Sequence, residues 1–246
     1  MPSHVATVDS RLARMRRIYL PTACIAALIA IVGFWPTYFG PLIGGASAAS
    51  PIIHLHAAVF VGWLGLVILQ AVLAATGNLV LHMRIGQVGF AYGVALILVG
   101  IATAFAHFDM RIDAGQVRSA QDQLFVPLTD LMVFTPFFAA AWIYRRRPEV
   151  HKRLIIVATT ILLIAAVHRM TFILGARPIP PARLLLVWLA PIYIGMIFDA
   201  VKRRFVHPVY LLGIAAIIYL KFFRVPLFES EAWASFTAWL TPFFAN

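Results

Sequence analysis

Pro51 to Gly86 reads PIIHLHAAVFVGWLGLVILQAVLAATGNLVLHMRIG. Residues 52–76 form an apolar run longer than the ~20 residues that cross a hydrocarbon core. The run nevertheless carries His54 and His56 at one end and Gln70 further along, and a turn then delivers His82, Arg84 and Gly86. Polar groups on a lipid-class helix are costly, which makes them functional candidates by default. The stretch therefore decides the fold class, a helix made for lipid, and it opens the question of a polar site.

The rest of the chain fits that class. Of 246 residues, 62% are hydrophobic and 12% charged, about half the charged fraction of a soluble domain. Six more apolar runs accompany the first. The sequence predicts an all-α polytopic membrane bundle of seven transmembrane helices, at about 18–40, 52–76, 86–107, 124–144, 152–175, 182–201 and 206–223. Residues 1–17 form a basic N-terminal segment, 18–225 the membrane domain, and 226–246 an amphipathic helix on the outer interface. In that tail Trp233, Phe236, Leu240 and Phe243 recur at helical spacing.

The net charge of +11 is distributed as membrane loops are, not as a nucleic-acid face. Arg11, Arg14, Arg16 and Arg17 precede the first run; Arg145, Arg146, Arg147, Lys152 and Arg153 lie between the fourth and fifth; Lys202, Arg203 and Arg204 follow the sixth. With the N-terminus inside, inner basic residues outnumber outer ones, so the rule that basic loops stay in the cytoplasm places the N-terminus in the cytoplasm and the C-terminus outside. The expected partner is the bilayer of a bacterial inner (cytoplasmic) membrane, with no nucleic acid. The single cysteine, Cys24, reads as a small apolar core residue. Ala46-Ser47-Ala48 after the first run also permits a signal-peptide reading, which leaves the later topology unchanged.

Four consecutive spans place polar groups at similar depth near their outer ends: His54 and His56, His107, Asp130, and His168 with Arg169. His56, Trp63 and Gln70 are spaced by sevens and share a face, whereas His54 points away. Gly89, Gly93, Gly100 and Thr103 supply small residues for close helix approach. This convergence makes His56, His107 and His168 candidate ligands. Asp130 is a ligand or proton acceptor, Arg169 its counter-ion or a partner of a haem propionate, and His54 and Gln70 are in support. Imidazoles from facing helices ligate haem b; three histidines and a carboxylate equally suit copper, iron or zinc; and His with Asp also relays protons. By contrast, Asp199 beside Lys202 and Arg203 reads as a solvated ion pair. His82 and His151 read as parts of structural turns.

His54, Trp63, Gln70 and His82-x-x-x-Gly86, with the later Pro148-Glu149-x-His151-Lys152-Arg153-Leu154 and Arg169, resemble a broad group of uncharacterised bacterial multipass proteins of the domain-of-unknown-function type. The turns at His82-Met83-Arg84-Ile85 and His151-Lys152-Arg153-Leu154 are alike, which implies two related hairpins. Their bundle is similar in outline to haem-binding four-helix membrane cytochromes, although Asp130 stands where a fully paired set has a fourth histidine, leaving at most one haem. The leading expectation from these polar groups is a haem- or metal-binding membrane protein that serves electron transfer or redox-complex assembly, with a membrane redox complex as partner. A proton-coupled permease and a non-catalytic subunit stay open as alternatives. No phosphate-binding glycine loop, His-Glu-x-x-His, Cys-x-x-Cys or nucleophile elbow occurs, so any chemistry belongs to the bundle itself.

Overall fold

The computed structural model describes residues 19–46, 49–173 and 180–244. The basic segment 1–17, Ser47 and Ala48 of the signal-peptide reading, and Arg177 lie outside them. Seven helices are long and apolar enough to cross a membrane. They are α1 Tyr19–Ile43, α2 Pro51–Ala75, α3 Leu79–Asp113, α4 Val117–Ile143, α5 Pro148–Thr171, α6 Pro181–Arg203 and α7 Pro208–Phe228; a shorter α8, Glu231–Leu240, follows. No strand occurs among the described residues. The chain is a multi-pass integral membrane protein, and its outer surface is that of one: Leu98, Met132, Ile143, Leu212 and Phe222 are all more than 60% exposed, facing where hydrocarbon would lie.

Helix ends follow local chemistry more than hydropathy. Helices α2, α5 and α7 each open with proline at the first helical position, where its missing N–H costs nothing. The turn from α2 to α3 needs Gly77 at φ +81°. Asn78 then caps α3 by accepting from the Leu81 N–H at 3.3 Å. Helix α3 consequently starts seven residues before the apolar run, and His82 to Gly86 belong to its first turns instead of forming a turn of their own. His151 likewise lies inside α5. A helix once nucleated propagates through polar residues, so hydropathy alone places these starts too late.

The packing is set by glycine and by long aromatic reaches. A Cβ on Gly93 would lie 2.2 Å from the Phe138 ring, one on Gly62 2.0 Å from the Tyr92 hydroxyl, and one on Gly33 2.2 Å from the Ala166 carbonyl oxygen. These glycines let α3 meet α4, α2 meet α3 and α1 meet α5. Tyr92 donates to the Val59 carbonyl (2.9 Å), Trp63 to the Thr159 hydroxyl (3.3 Å), and Trp188 to the Thr160 carbonyl (2.7 Å). Each indole or phenol thus finds a partner in the apolar medium. The mid-bundle core is Trp63, Phe134 and Phe138, with Val157, Ile161 and Ile192 fully buried beside it.

Two expectations are corrected. Asp199 is not solvated: it is fully buried, and although Arg203 Nε of the same helix lies 3.8 Å from Oδ1, Arg153, also fully buried, grips both its oxygens, with Nε to Oδ2 at 2.8 Å. Glu149 joins through Arg153 (2.9 Å), Lys152 (3.0 Å) and Arg203, tying α5 to α6. Cys24, expected inside the core, is exposed on the face of α1. The tail helix α8 is capped by the Ser230 hydroxyl, which accepts from the Trp233 N–H. It packs Thr237, Leu240 and Trp233 onto α3 and α4, with Trp233 and Phe125 ring centroids 4.8 Å apart and Gln121 donating to the Thr237 hydroxyl at 3.0 Å.

Removing one partner of a buried ion pair strands the other. Asp199→Ala is expected to lower unfolding stability in detergent by on the order of 3 kcal/mol. Lys202→Ala, on the exposed side of the same helix, should leave it within about 0.5 kcal/mol. Equal effects of the two would contradict the pairing.

Candidate functional site

The far ends of the spans, opposite the basic turns, hold the sequence-predicted site residues, but not as one cluster. His56 lies against Phe60, ring centroids 4.1 Å apart, and its electrostatic neighbours are His107 and Arg169. Its Nδ1 is sealed from solvent without a hydrogen-bond partner. His54 does point elsewhere, its Nδ1 meeting the Tyr38 hydroxyl at 3.0 Å. His168 is exposed, beside Arg224 and Lys221. Asp130 is buried and paired with Arg224 of α7, not with Arg169, whose Nη1 donates to the Ala165 carbonyl at 3.0 Å. The expected counter-ion assignment fails because α7 brings a second arginine to the carboxylate, a partner 94 residues away that helical phase cannot reveal. Among the described residues no three His, Cys, Asp or Glu side chains gather as a metal ion requires.

The opposite, basic end holds something the sequence reading treated as scaffold. A cavity of about 390 Å³ lies between α1 to α5, in the size range of small-molecule sites. Leu66, Phe90, Phe138 and Trp142 supply apolar walls; Gln70, His82, His151, Lys152, Glu149 and Thr159 supply the polar groups. Trp63 and Gln70, spaced by seven on α2, line it together. Of the quoted motif, Trp63, Gln70, His82, Gly86, Pro148, Glu149, His151 and Lys152 line it, whereas His54, Arg153, Leu154 and Arg169 do not.

The two hairpins use one device twice. His82 and His151 are each the fourth residue of their helix, α3 and α5. His151 Nδ1 donates to the Ala141 carbonyl of α4 at 2.8 Å, and His82 Nδ1 lies 3.2 Å from the Gln70 carbonyl of α2. A ring held through Nδ1 on a backbone carbonyl presents Nε2 as its free nitrogen, with a lone pair. Gln70 adds its side-chain amide. With the nitrogen towards His82 and the oxygen towards Gly86, it lies 2.6 Å from His82 Nδ1, 3.1 Å from the His82 carbonyl and 3.2 Å from the Gly86 nitrogen. The four-residue spacing of His-x-x-x-Gly is that of one helical carbonyl and amide pair, and Gln70 bridges it. The proton position on His82 follows the orientation of this amide. Nε2 carries the proton when the amide donates to Nδ1, and Nδ1 carries it when the carbonyl is the partner.

The charged residues at the cavity edge belong to the α5–α6 network. Lys152 reaches Glu149 at 3.0 Å and lies 4.6 Å from the centre of the Tyr19 ring. The sequence signal for this site was present, since His82, Gln70, Gly86 and His151 carry the motif. What hid it was the reading of His82 and His151 as parts of structural turns. Comparison of the chain with family models, with curated proteins and with solved structures finds no match, so function must be argued from this geometry.

Gly86 lines the cavity, and a Cβ there meets nothing within 4 Å. Gly86→Leu is therefore expected to fill the cavity with a thermal midpoint at or above that of the parent, gaining up to ~1 kcal/mol of helix propensity. Gly93→Leu, driven into the Phe138 ring, should fall well below it. A Gly86→Leu variant as unstable as Gly93→Leu would contradict the open space.

Proposed function

We propose that this chain is a haem-binding protein of the bacterial cytoplasmic membrane that serves electron transfer or the assembly of a redox complex. The observation that supports it is the pair His82 and His151. These are two imidazoles from different helices on one aromatic-walled cavity, both with Nδ1 set against the backbone carbonyl of a neighbouring helix. Haem iron asks only one or two axial side chains, whereas copper, zinc or non-haem iron ask three or four donors, which do not gather among the described residues. The geometry thus favours haem over a bare transition metal, and the basic end over the expected far-end set of His56, His107 and His168. It is also in keeping with the outline resemblance to haem-binding four-helix membrane cytochromes, and with one haem instead of two.

His82 and His151 would hold the iron, each through Nε2, which for His82 requires the Gln70 backbone carbonyl, and not the side-chain amide N–H, as the partner of Nδ1. The Ala141 and Gln70 carbonyls orient the rings and raise their basicity. Phe90, Phe138 and Trp142 exclude water, and Lys152 offers positive charge at the edge to acidic substituents. The haem, when bound, supplies one-electron chemistry. Mid-bundle, Trp63, Phe134 and Phe138 close the space between the two ends, with Trp63 and Phe138 ring centroids 5.6 Å apart. That filling favours a held cofactor over the alternative of a proton-coupled permease.

Protein purified in detergent after haem supply should show haem absorption at one haem per chain. His151→Ala and His82→Ala should lose most of it, and His56→Ala, His107→Ala and His168→Ala should keep it. A colourless preparation would overturn the reading, as would loss confined to the far-end variants.

A further inference from the structure

The far end carries a second site of different character. Arg169 lies three residues from the end of the α5 span, half-buried. Its guanidinium sits over the Phe34 ring, 4.7 Å from the centroid, and Nη1 donates to the Ala165 carbonyl at 3.0 Å. Among the described residues no carboxylate pairs with it, since Asp130 is taken by Arg224. Residues 172–180, which join α5 to α6, contain no Asp or Glu. A guanidinium keeps its charge at any physiological pH, and a half-buried charge without a counter-ion is costly. Something with negative charge belongs opposite it.

The neighbouring groups repeat that demand. His56 of α2 and His107 of α3 stand within electrostatic range of Arg169 and of each other. Each imidazole brings at least one N–H donor in either protonation state. His56 Nδ1 is closed off from solvent and has no partner in the protein. Arg111, on the last turn of α3, adds a further positive charge near His107. Donors and positive charge from three helices thus lie within electrostatic range of one another, Arg111 also donating to Gln116 Oε1, and no carboxylate among the described residues pairs with Arg169.

We propose that the far ends of α2, α3 and α5 form a site for a phosphate oxyanion, held by Arg169 with His56 and His107. The planar fork of a guanidinium suits two oxygens at once, and the site lies near the span ends, at the depth of lipid headgroups. The phosphate belongs either to a membrane phospholipid or to a soluble phosphate compound, and the chemistry of recognition is the same.

The test uses the full-length protein in detergent, stripped of lipid. Thermal unfolding is followed while inorganic phosphate is added, against sodium chloride at equal ionic strength, and separately while phosphatidylglycerol is added in mixed micelles. The midpoint should rise with phosphate or with phosphatidylglycerol, but not with chloride. A response to the lipid alone assigns the headgroup, and a response to inorganic phosphate assigns a soluble source. The apparent affinity should fall by at least about tenfold in Arg169→Gln, less in Arg169→Lys, and measurably in His56→Gln or His107→Gln. Arg169→Lys keeps the charge and covers the case in which Arg169→Gln fails to fold. No rise beyond chloride with either probe would overturn the proposal, as would an unchanged response in the folded variants. Haem content is expected to stay at the parent level in all four, so this site and the haem reading fail or stand separately.

Discussion

In hydrocarbon, a polar group without a partner has no water to fall back on. That constraint orders this bundle. The Arg153–Asp199 pair is its strongest expression: two fully buried charges, from α5 and α6, each satisfied by the other. The pair, with Glu149 and Arg203, closes the basic end around the cavity. Trp63, Tyr92 and Trp188 obey the same rule with single hydrogen bonds to neighbouring helices. Apart from Arg153–Glu149 within α5, these contacts join different helices, so satisfying polar groups and assembling the helices are one process.

The same constraint separates residues with a structural explanation from those still lacking one. Asp130 is answered by Arg224, His54 by Tyr38, and Trp63 by Thr159. His82 and His151 are answered on one ring nitrogen only. Arg169 and His56 are answered least. The groups with unspent capacity fall at two places, the cavity at the basic end and the cluster at the far end, and both functional proposals arise there.

The seven spans were legible because apolar runs of spanning length have few other uses, and the runs agree with the helices to within a few residues at most ends. Helix α3 departs most, since Asn78 and Gly77 start it before its apolar run begins. The polar groups of the bundle were legible, but their grouping was not. Shared depth suggested that His56, His107, Asp130 and His168 meet, but depth says nothing of azimuth, and His168 turns outward while α7 claims Asp130. Asp199 looked solvated because its sequence neighbours are lysine and arginine; its true partner is 46 residues away. The His-x-x-x-Gly motif, set aside as a turn, turned out to line the cavity. A motif whose spacing matches one helical hydrogen bond is better read as part of a helix.

The central claim is that His82 and His151 hold one haem iron between them. Electron paramagnetic resonance of the oxidised, haem-supplied protein tests it most directly, since the spin state reports the axial ligands. Two imidazoles give a low-spin ferric signal. The account predicts that signal in the parent protein and its conversion to a high-spin signal, or its loss, in His151→Ala and in His82→Ala. A low-spin signal that persists in both variants would contradict it.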